Sequence, residues 1–264
     1  MNKIVNASLA AVLAMGMTSC FNDANDEVTT AQIYMYNMVE RMGTSTDPFT
    51  LTQANTSFEF NFGKSLITSE VRTYITDGLM ASFKTSPLAM TPTTEGYVFS
   101  SSTVPAAGFS VRDFKGKYDP VAGVMAYDYT LNDTYHVYSV SNYLYQYSNT
   151  TITEKGVEIV TSDNMPFWFI PDAASGKATL RLGNFSFSEQ STGVTLDYKD
   201  IEYKIVGSGF TAHVDKVANA QGYKDNDITN LFITITSHGQ QANVVFDMGD
   251  RHVVMEGWMF HVDK

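Results

Sequence analysis

From Phe49 onward, apolar and polar residues alternate with period two in short runs. Phe58, Phe60 and Phe62 share one side of such a run. Leu180 and Leu182 share one side of another, and Phe185 and Phe187 continue it beyond Gly183-Asn184. The same style runs through residues 195–198, 201–206, 210–214, 231–236, 244–248 and 253–255. β-branched and aromatic runs of about five residues, bounded by Gly, Asn, Asp and Ser, read as strands. Hairpin chemistry separates them at Val206-Gly-Ser-Gly209, Ser237-His-Gly-Gln240 and Gly249-Asp250. No long helical pattern lies between the runs. The predicted fold class is therefore all-β and antiparallel, either a barrel-like form or a sandwich.

Two segments are less plain. Within residues 28–46, Met35, Met38, Val39 and Met42 sit at helical spacing, whereas Tyr34, Tyr36 and Met38 alternate as in a strand. The expectation is a short helix ahead of the β domain. Residues 68–77 pair a Ser with a nearby Glu, as a helix start would, but are rich in Thr and predict a strand. A faint internal repeat also shows. Tyr127-Asp128 is followed by turn residues and His136-Val137, and Phe246-Asp247 by turn residues and His252-Val253. The small polar stretch 171–176 marks a boundary. It gives a first β unit over 47–172 and a second over 173–264. One continuous fold with two similar hairpins is the alternative.

The first residues carry an address. Lys3 precedes an apolar stretch with Leu9, Ala10, Ala11, Val12, Leu13 and Ala14 at its centre, then Thr18, Ser19 and Cys20. A charged start, a short apolar stretch and a small-residue exit form a secretory signal peptide over residues 1–19. The apolar run is about fourteen residues, and a spanning helix needs roughly 20. No comparable run follows Asp23, so the mature chain is expected not to span the membrane. Met17-Thr18-Ser19-Cys20 resembles the bacterial lipobox, with Met17 where Leu is usual. That resemblance implies diacylglycerol on Cys20, cleavage before it and acylation of its new amine with a fatty acid such as palmitate. Several acyl chains together anchor a protein stably. An ordinary signal peptide with a chance cysteine is the alternative.

Residues 20–27 are polar and acidic, a solvated tether. Together with the possible short helix they make up residues 20–46. The stretch resembles the acidic export signal behind the cysteine in surface lipoproteins of the Bacteroides group. The resemblance implies outer-membrane attachment and leaves inward or outward display open. Residues 176–185, 199–202 and the closing Val-Met-Glu-Gly257 resemble the calycin-like β modules of lipoproteins of the same group. That implies an antiparallel barrel or barrel-like sandwich, and no particular reaction.

Composition narrows the chemistry. Hydrophobic residues make up 44%, aromatics 13% and charged residues 17%, the balance of a chain that folds. The formal charge of -11 repels a phosphate backbone, so no nucleic-acid partner is expected. A single cysteine excludes an internal disulfide, a Cys-rich zinc site and an iron–sulfur cluster. No nucleophile elbow, zinc-protease helix, P-loop or dinucleotide fingerprint is present. No catalytic residue, metal ligand or cofactor is nominated on this reading. The histidines at 136, 213, 238, 252 and 261 fit no compact metal spacing, although repeat symmetry could bring His136 and His252 together. Asp128 and Asp247 are the repeat-matched acids. A glycosidase would need two acids about 5–9.5 Å apart across a cleft. Asp225 and Asp227 belong to an oxygen-rich loop, either solvated or able to hold Ca²⁺.

Aromatic residues are the candidates for binding. In one strand Tyr143, Tyr145 and Tyr147 would share a face, with Leu144 and Gln146 on the other. Aligned tyrosines would form either a platform for sugar rings or part of the core. Phe167 and Phe169 are expected to point inward, which leaves Trp168 as a binding anchor or a core plug. Trp258 is expected in the core. The functional expectation is a lipid-anchored, non-catalytic β protein of the envelope. Its partner would be a glycan, a small apolar molecule or an envelope protein. The alternatives are a structural or adhesion subunit and a carboxylate glycosidase.

Overall fold

A computed structural model describes residues 28–43, 49–76, 79–94, 96–188 and 192–260. The signal peptide, Cys20, the acidic tether and His261 lie outside the described residues. The fold is all-β, antiparallel and sandwich-like rather than a closed barrel. Among the described residues, only the turns Lys224–Asn226 and Ser237–Gly239 are helical, of the 3-10 kind. No helix among them is long and apolar enough to cross a membrane. The chain divides into two compact units, one ending at Ser141 and the other starting at Asn142.

The first unit opens with β1 (Thr29–Arg41), β2 (Thr50–Asn61), β3 (Leu66–Thr76) and β4 (Leu79–Lys84). Short β5 (Leu88–Ala89) and β6 (Thr91–Thr93) follow. Then come β7 (Gly96–Val104), β8 (Val111–Asp119), β9 (Val124–Leu131) and β10 (Tyr135–Val140). They form one sheet in the order β4-β3-β2-β1-β10-β9-β8-β7-β6, with β5 on β3. Right-handed twist curls so long a sheet onto itself. Rings from its two halves meet inside, with Phe58 against Tyr127 at 6.1 Å, Phe60 against Tyr118 at 5.5 Å and Phe83 against Tyr129 at 5.1 Å.

The expected helix near residue 35 is a strand. Ala31, Ile33, Met35 and Val39 are buried at period two, and β1 hydrogen-bonds to β2 on one side and β10 on the other. Met38 is buried on the opposite face, whereas Met42 lies past the strand end and is exposed. The helical spacing is a coincidence of those two residues. Residues 68–76, by contrast, fall in β3 as their Thr content predicts.

The second unit begins with β11 (Tyr143–Tyr145), β12 (Tyr147–Glu154), β13 (Val157–Ser162) and β14 (Phe167–Asp172). Next come β15 (Lys177–Phe185), β16 (Val194–Glu202), β17 (Lys204–Val206) and β18 (Gly209–Val217). It closes with β19 (Ile228–Thr236), β20 (Gln241–Met248) and β21 (Arg251–Trp258). Two sheets result, β11-β14-β15-β16 and β13-β12-β21-β20-β19-β18-β17. Aromatic rings fill the space between them, including Tyr143 on Phe210 at 5.4 Å and Phe185 on Phe246 at 6.1 Å. Gly257 of β21 permits that approach, since a Cβ there would stand 2.6 Å from the Phe167 ring and from Tyr145 Cβ.

The expected boundary near residue 172 is therefore displaced. Residues 142–172 belong to the second unit because β12 pairs along its length with β21, and β14 pairs with β15.

Candidate functional site

The tyrosine face does not form as expected. Gln146 separates β11 from β12, and the two strands enter different sheets. Tyr143 and Tyr145 are 1% and 0% exposed, and Tyr147 is half-buried. Tyr145 stacks on Phe167 at 4.8 Å and donates its hydroxyl to the Gly239 carbonyl at 2.9 Å. Two of the three rings are thus sandwich core, which offers no platform to solvent.

Trp168 is placed differently. Phe167 and Phe169 point into the sandwich, 0% and 1% exposed, as alternation predicts. Trp168 consequently points outward and is half-buried. Pairing registers set Leu144, Trp168, Arg181 and Asp197 in one row across β11, β14, β15 and β16. Arg181 holds Asp197 with two bonds, Nε to Oδ1 at 2.7 Å and Nη2 to Oδ2 at 3.0 Å. This bond raises the Arg181 pKa further, against the opposing effect of burial. Gln221 braces the backbone of β16 at the edge of this row. Its Oε1 accepts from the Asp197 backbone N–H at 3.1 Å, and its Nε2 donates to the Thr195 carbonyl at 3.3 Å. Sequence alone names Trp168 but misses Arg181, Asp197 and Gln221. Their association depends on strand register, and no local spacing encodes that.

The repeat-matched acids each meet the histidine of their own hairpin. His136 Nε2 lies 3.4 Å from Asp128 Oδ2, and His252 Nδ1 lies 2.7 Å from Asp247 Oδ1. Asn230 also donates to Asp247 Oδ2 at 2.7 Å, and this bond leads in holding the Asp247 carboxyl below its ordinary pKa, with His252 adding to it. The hydrogen bond to Asp128 raises the His136 pKa, opposed by burial. Elsewhere, His213 stacks on Phe232 at 4.0 Å, and His238 occupies a left-handed position in the turn before β20. Trp258 is half-buried rather than fully in the core.

In the oxygen-rich loop, Asp227 Oδ1 accepts from the Asn219 N–H at 2.9 Å, so this carboxylate braces its own loop. An open pocket of about 240 Å³ lies between the β15–β16 connection and Asn226, lined by Phe185, Phe187, Val194 and Leu196 among others.

No family model matches the chain. No curated protein matches it either. Among solved structures it is similar to a protein of Bacteroides fragilis provisionally described as an outer membrane protein. The identity is 12%, over 87% of this chain and 97% of that one, with a TM-score of 0.35. A likeness at that score does not establish a shared fold.

Proposed function

We propose that this chain is a lipid-anchored, non-catalytic β protein of a bacterial outer membrane, displaying its two units as a binding body. The observation that carries the reading is Met17-Thr18-Ser19-Cys20, which places the sole cysteine directly behind a short apolar run. The acidic stretch 20–27 adds a solvated tether between a lipid and a folded body. The repeat-matched acids Asp128 and Asp247 are each engaged by the histidine of their own hairpin, His136 and His252.

The test is expression in a bacterium that processes lipoproteins, followed by membrane fractionation and mass measurement of the mature N-terminus. Wild type is expected in the outer-membrane fraction, beginning at an acylated Cys20. Cys20→Ala is expected in the soluble fraction. Membrane attachment of Cys20→Ala would overturn the anchor.

A second reading, a subunit that joins a surface assembly by strand addition, draws on β13. This edge strand exposes Val157 and Ile159, at 66% and 39%. Oligomers that dissociate on Ile159→Lys would favour it.

A further inference from the structure

The outward side of the four-stranded sheet carries one large ring among hydrogen-bonding side chains. Thr179 and Arg181 of β15 and Thr195, Asp197 and Lys199 of β16 alternate with inward Leu180, Leu182, Leu196 and Tyr198. Trp168 lies over this polar face in a made-to-fit seat. A Cβ on Gly183 would stand 2.6 Å from Trp168 Cζ3 and 3.0 Å from Cη2. Glycine weakens a strand interior and marks a site where something approaches the backbone closely. Here the indole itself does so, reaching across Gly183 beside the Arg181–Asp197 pair.

The polar groups that run from the ring's neighbour Arg181 to the edge of the sheet are held in place. The two-bond fork fixes the guanidinium plane, and Asp197 is only 16% exposed on its side chain. The Gln221 amide is fixed at both its oxygen and its nitrogen. The pair cancels its own charge, so the row offers donors and acceptors without a net charge.

We infer that this row is a subsite for a ring of a neutral glycan. A pyranose presents a flat face of C–H groups and a rim of hydroxyls. The face stacks on an indole, and the rim pairs with fixed charged and amide groups. A purely apolar ligand would strip water from the N–H groups and lone pairs that the Arg181–Asp197 fork leaves over, which is unfavourable. An acidic glycan would meet a chain of formal charge -11. The inference rests on reading the β body as a binding module. It does not depend on the lipid anchor.

The experiment uses the full chain in a detergent without a sugar head group. The chain has two tryptophans, so Trp258→Phe leaves Trp168 as the single indole reporter. Cellohexaose, maltohexaose and polygalacturonate are titrated against its emission, and acrylamide quenching reports access to the ring. The expected result is a ring open to acrylamide and an emission change with a neutral oligosaccharide but none with polygalacturonate. Calorimetry on otherwise wild-type protein is expected to show binding weakened at least about tenfold, or about 1.4 kcal/mol, by Trp168→Ala and by Arg181→Gln, with circular dichroism unchanged.

No response to either neutral oligosaccharide, a response to polygalacturonate alone, or undiminished binding by both variants would overturn the inference. Cys20→Ala is expected to give the same titration. The anchor and the glycan subsite can therefore fail separately.

Discussion

His136 is a residue whose charge state folding changes. Its hydrogen bond to Asp128 raises its pKa above the ordinary 6.5, with the Asp128 and Glu40 charges adding to this and burial and Lys115 opposing it. A basic group whose pKa rises on folding favours the folded state when protonated. That contribution is fully present below the unfolded value and lost as pH rises through the folded one. The stability difference between wild type and His136→Ala should therefore be larger at about pH 5 than at about pH 8. Thermal unfolding at both pH values measures it, and equal differences would show that protonating His136 contributes nothing. The Asp128–His136 and Asp247–His252 matches were visible in the sequence as a repeated Asp and His-Val. Their hydrogen bonds were not, since two hairpins can share a motif without sharing side-chain geometry. The tyrosines show the converse. Period two correctly put Tyr143 and Tyr145 on one side, but it cannot say which side faces a second sheet. Nor does it show that Gln146 ends one strand and frees the chain to start another.

Strands pack as layers here, and one hydroxyl ties the layers of the second unit together. Tyr145 of β11 reaches the Gly239 carbonyl, in the turn between β19 and β20 of the opposing sheet. Both groups are buried, so removing the donor takes a partner from a carbonyl shielded from solvent. Tyr145→Phe keeps the stacking on Phe167 and should lower the unfolding free energy by about 1–3 kcal/mol, read from urea denaturation. An unchanged midpoint and slope would show that the bond contributes nothing. Most strands after Phe49 were legible because each buries one face. β1 was the exception. Its outer residue Met38 is as buried as its inner ones, so the polar half of the alternation is missing where a reader needs it. Burial on both faces erases the period-two signal that half-burial creates.

The two units share a plan that sequence barely reveals. In the first, seven strands run in the order β2-β1-β10-β9-β8-β7-β6. In the second, the order is β13-β12-β21-β20-β19-β18-β17. Counted from β12, with β11 set apart, the second order matches the first strand for strand, and every pair is antiparallel. The matched Asp–His hairpins, β9–β10 and β20–β21, occupy the same place in both. Three strands between the shared ones differ. In the first unit β3 extends the sheet from β2, and β4 and β5 pair with it. In the second β14, β15 and β16 form a separate sheet with β11. A duplication whose copies diverged in that insert would produce both the likeness and the difference. The polar stretch at 171–176 is the β14–β15 hairpin inside that insert, and such turns carry the same Gly, Ser and Asp residues as linkers. Among the described residues every strand pair lies within one unit. Residues 142–264 should therefore fold when produced alone, with a β-type circular dichroism spectrum and a single cooperative thermal transition. A fragment that unfolds without a cooperative transition would sink the two-unit plan. A folded fragment would carry Trp168, Gly183, Arg181, Asp197 and Gln221 together, and should bind the neutral oligosaccharides as the full chain does.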